Sequence, residues 1–571
     1  MKKLSITLFV LLLAIISGRS QNIFEAIEQN DYNLVEKKIL EDKSLINSRA
    51  GNSYTPLHYA ANKNRPEILE LLIKNGADIH AKTSRGRTPL FLVAMNNGNV
   101  SITKQLILAG ANVNTQENSG GTPITYSVFR NFKEMTDILI DNGAIIRVDT
   151  ELWHEVFHRA CSFNLKRLAE IMINKGLDIY KRNEDGKIAL HSAVEGGSVE
   201  LVELLINKGN DVQSIDYCGI TPLHLAALSG HYNIVKKLID LGAEINIKNL
   251  MGETALNLAR KNQHQSVAEL LIGEGAKDEP AVFPVLKADY LGQEKTSKEV
   301  EVFAPGLVSS YSPVHGSVVF SASGNLALWS IVDFKKRGSS VLCMERINNI
   351  WSPPKEAFFS SGYSDDVPFF HPGKDIIYFL SNRPVIEGGT SGKENIWYIK
   401  KIAEEWTDPV IISPKINSMD LHWQFSVAEN GNIYFASSSS GGKGLNDIFF
   451  SEFSDGEYSL PVNLGESINS QYADFAPLIS PDEDFLIFTS IDRPDSNGGT
   501  DLYISFKEES GAWSKSVNMG SEINSDGGEL LTTISPDGKY LFFTGRRFNR
   551  KGVFWVDSGI IDSLKNIVIN D

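Results

Sequence analysis

From about residue 22 to residue 278 the apolar positions fall in paired helical bursts. The first burst of a pair opens on Thr-Pro and continues with Leu and Ala, as in Thr221-Pro222-Leu223-His224-Leu225-Ala226. The second carries apolar residues at helical spacing and closes on glycine, as in Ile68-Leu69-Glu70-Leu71-Leu72-Ile73-Lys74-Asn75-Gly76 and Ile234-Val235-Lys236-Lys237-Leu238-Ile239-Asp240-Leu241-Gly242. Each residue type has a local reason. A threonine hydroxyl caps a helix, proline suits a first helical position that has no amide bond to lose, and glycine accepts the left-handed conformation that ends a helix. The pattern therefore predicts helix pairs.

The pairs return about every 33 residues, a spacing that indicates a solenoid. Thr55-Pro56-Leu57-His58-Tyr59-Ala60, Thr88-Pro89-Leu90-Phe91, Thr122-Pro123-Ile124, Glu155-Val156-Phe157-His158-Arg159-Ala160, Ile188-Ala189-Leu190-His191-Ser192-Ala193 and Thr254-Ala255-Leu256-Asn257-Leu258-Ala259 share the register of Thr221–Ala226. Gly76, Gly110, Gly143, Gly176, Gly209, Gly242 and Gly275 repeat in phase with them. Ile23–Ile27 with Leu34–Leu40 reads as a degenerate first unit without Thr-Pro, as terminal solenoid units tend to be, and makes eight units in all. The array resembles the ankyrin repeat, quoted most fully by Asp216-Tyr217-Cys218-Gly219-Ile220-Thr221-Pro222-Leu223-His224-Leu225-Ala226. That resemblance implies an all-α solenoid over residues 21–278 whose hairpin tips and concave groove hold protein partners.

After Gly275 the period stops, and residues 279–299 read as a linker. From residue 300 the pattern becomes short aromatic-aliphatic strands broken by turn residues, which predicts an all-β domain over 300–571. Its anchor is Ser535-Pro536-Asp537-Gly538 before Tyr540-Leu541-Phe542-Phe543. Counterparts are Ser480-Pro481-Asp482-Glu483, His371-Pro372-Gly373-Lys374, Glu429-Asn430-Gly431 and Ser321-Ala322-Ser323-Gly324, each followed by a buried strand. Pro, Asp and Gly in that order make a tight turn. Third strands follow at Asn395–Tyr398, Asp447–Phe450 and Asp501–Ile504, and fourth strands are expected at Trp351-Ser352-Pro353-Pro354, Trp406-Thr407-Asp408-Pro409, Tyr458-Ser459-Leu460-Pro461 and Trp513-Ser514-Lys515-Ser516.

Four strands per unit make the blade of a propeller. The pattern looks like the WD40-like repeats of the TolB-type β-propeller family over about residues 300–560. Five repeat units predict five blades, with a sixth from the linker left open. The last unit has Val553–Val556 as its third strand and no Trp-x-x-Pro after it, so Val300–Leu307 is expected to close the ring as its fourth strand.

Two domains suit a chain of 571 residues. Met1-Lys2-Lys3, the apolar run Leu4–Ile16 and Gly18-Arg19-Ser20 read as a signal peptide over 1–20, too short to be a comfortable membrane span and with no lipid-accepting cysteine after it. The chain is thus expected to be exported, to the periplasm or outside the cell. Loss of those residues removes Lys2, Lys3 and Arg19 and no acid, moving the formal net charge from −15 to −18. Such a chain repels nucleic acid and anionic lipid. Cys161, Cys218 and Cys343 have no zinc-ligand or redox spacing, so no disulfide framework is expected.

Residues that repeat in every unit serve the scaffold, whereas residues peculiar to one tip are candidates for partner contact. Arg85 and Arg87 beside Gly86, Tyr217 beside Gly219 and Met251 beside Gly252 meet that test. His154-Glu155-Val156-Phe157-His158 spells the H-E-x-x-H of zinc hydrolases. However, His158 and Ala160 sit in the register of His224 and Ala226, and no Gly-x-x-His continuation follows, so the scaffold reading is preferred and no metal is expected. Arg383, Arg493 and the pair Arg546-Arg547 recur after second strands and are expected to pair within the ring, with Asp447 and Asp501 as partners. No cofactor is expected and no catalytic constellation stands out. The reading is a non-catalytic exported protein-binding scaffold. Its rivals are a glycan or cell-wall ligand in the propeller funnel, and a hydrolase using the propeller or the His154/His158 pair.

Overall fold

The computed structural model describes residues 22–570 except 296, 309–313, 334–337, 361, 386–391, 404, 439–443 and 548–549. The segment read as a signal peptide lies outside the described residues. The chain divides into two compact units, Met1–Asn183 with Lys187–Ser214 and Ser229–Ala243, and Glu184–Gly186 with Ile215–Leu228 and Glu244–Asp571.

The helical region holds eight pairs among the described residues. They are α1 (Ile23–Glu28) and α2 (Tyr32–Glu41), α3 (Pro56–Asn62) and α4 (Pro66–Lys74), α5 (Pro89–Asn96) and α6 (Val100–Leu108), α7 (Pro123–Phe129) and α8 (Lys133–Asp141), α9 (Glu151–Ser162) and α10 (Lys166–Asn174), α11 (Ala189–Glu195) and α12 (Val199–Asn207), α13 (Pro222–Leu228) and α14 (Tyr232–Asp240), and α15 (Ala255–Lys261) and α16 (Gln265–Gly273). The first helix of most pairs is largely buried, as in α5, where Pro89 through Ala94 are covered. Both of its sides meet neighbours: α3 packs on α5, α5 on α7, α7 on α9, and α13 on α15. That is why these helices lack the polar stripe of a surface helix.

Threonine and histidine together start the helices. At α3 the Thr55 amide donates to His58 Nδ1 (3.1 Å), the His58 amide donates to Thr55 Oγ1 (3.4 Å), and His58 Nε2 meets the Arg87 carbonyl of the next unit (3.0 Å). His224 repeats the arrangement with Thr221 and the Glu253 carbonyl. Burial holds the His58 imidazole down to about 4 despite its bond to the Arg87 carbonyl, and lowers His224 likewise. Both rings are therefore neutral joints between units. At α15 Asn257 takes the histidine's place, its Oδ1 accepting from the Thr254 amide (2.9 Å).

The β region is a ring of five blades. Blade 1 runs Val319–Phe320, Leu326–Asp333, Gly338–Ile347 and Lys355–Glu356; blade 2 runs Asp365–Phe370, Ile376–Ser381, Asn395–Ile402 and Val410–Ile411. Blade 3 runs Leu421–Val427, Ile433–Ser437, Asp447–Ser451 and Val462–Asn463; blade 4 runs Ala473–Ile479, Phe485–Ile491, Thr500–Phe506 and Val517–Asn518. Blade 5 takes Glu529–Ile534, Tyr540–Arg547 and Arg550–Asp557 from the end of the chain and Glu301–Val302 from the start of the domain. Glu301 pairs with Trp555 and Val302 with Phe554, so the ring closes as the missing fourth strand predicts.

The Trp-x-x-Pro segments are not themselves the outer strands. Ile350–Trp351 and Glu405–Trp406 fold back on the ends of their third strands, and the outer strands begin only after the prolines, at Lys355 and Val410. Proline has no amide to give the ladder, so it marks the turn before the edge. Two further elements join the domain. In the stretch read as a linker, Leu291 is buried in a cluster with Phe303, Phe320, Trp351, Phe542 and Trp555. Tyr290 packs edge-on against Tyr540 and donates its hydroxyl to Asp537 (2.7 Å). At the C-terminus α17 (Gly559–Asn570) packs Ile560, Ile561, Leu564 and Val568 on the main core.

Candidate functional site

Two devices recur among the blades, each seen in three of them among the described residues. In the first, an acid opening the innermost strand pairs with an arginine past the second strand: Asp365 with Arg383 (2.7 Å), Asp474 with Arg493 (2.6 Å) and Glu529 with Arg547 (3.9 Å). The guanidiniums lie over rings, Arg493 at 4.4 Å from the centroid of Tyr503 and Arg383 at 4.8 Å from that of Phe379. These are the partners of the recurrent arginines, in place of the expected Asp447 and Asp501. Asp447 accepts from the Gly444 amide and Asn463, and Asp501 from the Asn497 and Gly498 amides and Asn518, because both start third strands, where turn amides converge.

In the second device an asparagine bonds both backbone groups of one third-strand residue: Asn417 on Ile396, Asn469 on Ile448 and Asn524 on Leu502. All three sit in Ile-Asn-Ser triplets, Ile416–Ser418, Ile468–Ser470 and Ile523–Ser525, a repeat signal in the sequence that the turn motifs overshadow.

Set against these repeats, the middle of the ring is irregular. In blades 2 to 5 a bulge interrupts each innermost strand and puts one residue in the left-handed region: Val367 (φ 45°), Trp423 (φ 62°), Ala476 (φ 52°) and Leu531 (φ 51°). Three of the four are small or aliphatic and buried; Trp423 is 38 % exposed. Its ring lies 5.3 Å from Phe475 of blade 4 and stacks near His315 of blade 1 at 6.3 Å. His315 Nδ1 meets Asp366 of blade 2 at 2.6 Å. The bond to Asp366 raises the His315 imidazole above its ordinary range despite burial. Desolvation, then the Asp366 carboxylate, push the Glu394 carboxyl up. Next to Trp423, Gln424 reaches from blade 3 to the Thr532 carbonyl of blade 5 (2.8 Å), a bond that skips blade 4 and so crosses the ring.

In the helical region the hairpin tips are laced by backbone bonds. At four tips the second residue before the tip glycine donates its amide to the preceding tip: Ser84 to Asn52, Asn118 to Arg85, Tyr217 to Asp185 and Leu250 to Cys218, all at 3.0 to 3.1 Å. Arg85 is exposed at its tip. Arg87 is held inward: its guanidinium donates to Glu117 of the next unit (2.5 Å) and lies 5.7 Å from the centroid of Phe91. Burial pushes the Glu117 carboxyl up, but Tyr126, Ser119 and Arg87 outweigh it and hold it below the usual range. Tyr217 is half-buried, its ring over Gly186, where a Cβ would come within 2.6 Å of the ring. Met251 is half-buried and its neighbour Leu250 is 47 % exposed.

Of the two histidines in α9, His154 Nδ1 meets the Thr150 carbonyl (3.1 Å). His158 engages Ser192 Oγ through Nδ1 (2.8 Å) and the Lys181 carbonyl through Nε2 (3.3 Å). Its bond to Ser192 of α11 ties it to the next unit, as the register predicts, although the carbonyl it meets is 23 residues on where those met by His58 and His224 are 29 on, and both ring nitrogens are engaged.

A family profile described as ankyrin repeats, in three copies, matches residues 23–100, 57–150, 90–182 and 157–249. The helical region is an array of ankyrin repeats. A putative ankyrin repeat protein of Rickettsia bellii is 42 % identical over 59 residues, 10 % of this chain and 35 % of that protein. The human 2-5A-dependent ribonuclease is 34 % identical over 74 residues, 13 % of this chain and 10 % of the other. Human ankyrin repeat domain-containing protein 49 is 38 % identical over 64 residues, 11 % and 27 % of the two chains. The chain thus spans from about a tenth to about a third of the length of these relatives. Ankyrin repeats imply protein–protein interaction.

Legible in the sequence were the ankyrin tips and the recurrent arginines. His315, Asp366, Glu394 and Trp423 were not, since they come from three different blades and share no spacing along the chain. The usable signal is a departure: Trp423 and Leu421 occupy innermost-strand positions where other blades carry a buried aliphatic and a paired acid.

Proposed function

We propose that this chain is an exported, non-catalytic scaffold whose ankyrin tips hold a protein partner. The observation that supports this most is the division of labour in the repeats. Positions that recur are satisfied internally, by the Thr-His caps, the bonds to the next unit's carbonyls and the amide ladder along the tips. Positions that vary, Arg85 above all, with Tyr217 and Met251 half-covered beside their glycines, are left to set specificity. Export is supported by the basic start, apolar run and small-residue boundary of residues 1–20. The hydrolase rival has less support, because both ring nitrogens of His158 are engaged.

The test is chemical cross-linking in cells of the source organism, followed by identification of the captured protein and measurement of its affinity for the purified chain. Arg85→Glu should weaken that affinity at least tenfold with the melting temperature unchanged. A chain that stays in the cytoplasm, or an affinity indifferent to Arg85, Tyr217→Ser and Met251→Ser, would remove the support for this reading.

A further inference from the structure

We infer that the propeller binds a neutral saccharide at the middle of its ring, with Trp423 as the stacking platform and His315 and Asp366 as hydrogen-bonding groups beside it. The argument starts from what the scaffold does not need. Three bulges satisfy the fold with Val367, Ala476 and Leu531 in buried positions. Blade 3 instead places an indole in a left-handed backbone conformation, which strains a bulky side chain, and leaves 38 % of it exposed. Blade 3 also lacks the acid of the arginine device, with Leu421 opposite Ser437 where Asp365 and Asp474 stand opposite Ser381 and Ser490. The departure from the repeat is therefore local to the position that faces His315.

The indole is held in place. Phe475 packs against it at 57°, and His315 lies nearly parallel to it at 28°. Asp366 fixes the imidazole through Nδ1. Beside Trp423, the amide of Gln424 is 97 % buried, and its Oε1 has no hydrogen-bond partner among the described residues; the same holds for Thr532 Oγ1, in the residue whose carbonyl Gln424 bonds. A buried acceptor without a donor is costly and is commonly answered by water or by a ligand hydroxyl.

The chemistry selects the ligand class. The exposed part of the indole offers an apolar aromatic surface, which takes the apolar face of a pyranose ring. Sugar hydroxyls need donors and acceptors together, and an imidazole held by the Asp366 carboxyl, with the unpartnered Gln424 amide oxygen, supplies both. Anionic sugars are disfavoured by the Asp366 carboxylate. A cationic ligand is disfavoured because the Asp366 carboxylate is already committed to His315.

The experiment titrates the full purified chain with neutral oligosaccharides, chitotriose, cellotriose and maltotriose, following tryptophan fluorescence and calorimetry. Trimethyllysine peptide and galacturonate trimer serve as the cationic and anionic probes. Saturable binding of at least one neutral trimer is expected, with affinity reduced tenfold or more in Trp423→Asn and in Asp366→Asn. Asparagine tolerates the left-handed conformation, so the first variant keeps its fold, which an unchanged melting temperature will show. Binding of none of the neutral trimers, preference for the cationic or anionic probe, or binding indifferent to Trp423→Asn would each overturn the inference.

Discussion

Val302 stands opposite Phe554 at the outer edge of the fifth blade, so the first strand of the propeller serves as the last strand of its ring. The next residue, Phe303, donates its amide to the Val553 carbonyl (2.8 Å) and buries its ring completely. Closure by both ends of the domain removes an exposed edge and ties ring integrity to a few residues.

Phe303→Pro should destabilise the propeller by about 3 kcal/mol or more beyond Phe303→Leu, because only the former deletes the closing amide. Hydrogen exchange at Val553–Val556 checks this. Equal effects of the two variants would show that the ring is held by side-chain packing alone.

Glu483 occupies the turn position that Gly538 fills in the next blade, and does so with φ at 63°. Its carboxylate accepts from Tyr434 Oη (2.7 Å), Asn432 Nδ2 and Asn430 Nδ2 (both 3.0 Å), clamping blade 4 to blade 3. Glu483→Gly relieves about 1 kcal/mol of backbone strain and strands two buried polar groups, so a net loss of about 2 kcal/mol is expected in thermal or denaturant unfolding. A stabilised variant would mean the clamp contributes nothing.

Arg493 donates to Asp474, Ser490, Ser516 and the Ile468 carbonyl while lying over Tyr503. Lysine cannot reproduce that fork. Arg493→Lys should therefore cost about 2–3 kcal/mol although the charge is kept. Urea midpoints of Arg493→Lys and Arg493→Met, compared with wild type, separate geometry from charge.

The two regions should respond to acid in opposite directions. The folded value of His58, about 4, lies below the unfolded 6.5, so the native state resists protonation; its stability is intact above pH 6.5 and falls by about 3 kcal/mol as the pH drops to about 4. Burial, only partly offset by Ser525, raises the Glu529 carboxyl from 4.5 to about 7. That contribution is present below pH 4.5 and is lost, by about 3 kcal/mol, as the pH rises to about 7. Hydrogen exchange corrected for intrinsic rates should show α3 less protected at pH 5 than at pH 7, and Glu529–Ile534 more protected. Glu529→Gln should abolish the second trend.

Arg85 and Arg87 flank one glycine and should behave differently. Arg87→Ala leaves Glu117, 3 % exposed, without its cation and should cost about 3 kcal/mol. Arg85→Ala should change stability by less than about 0.5 kcal/mol. Thermal melts of the two variants decide it.

The sequence by itself determined the repeats. Period, caps and turns are local: Thr55 and His58 are three residues apart, Ser535 and Gly538 likewise, and their geometry follows from backbone conformation. The closing strand was legible too, because a unit without its fourth strand implies one from elsewhere. Side chains that meet across the ring were not legible. Asp474 finds Arg493 only once the blade's strands are in register, and the expected partners Asp447 and Asp501 are taken by turn amides that converge on the start of a third strand. His315, Asp366 and Trp423 come together only because five blades share one middle. Tertiary structure decided that meeting, since it depends on ring closure and bulge geometry and on no spacing along the chain.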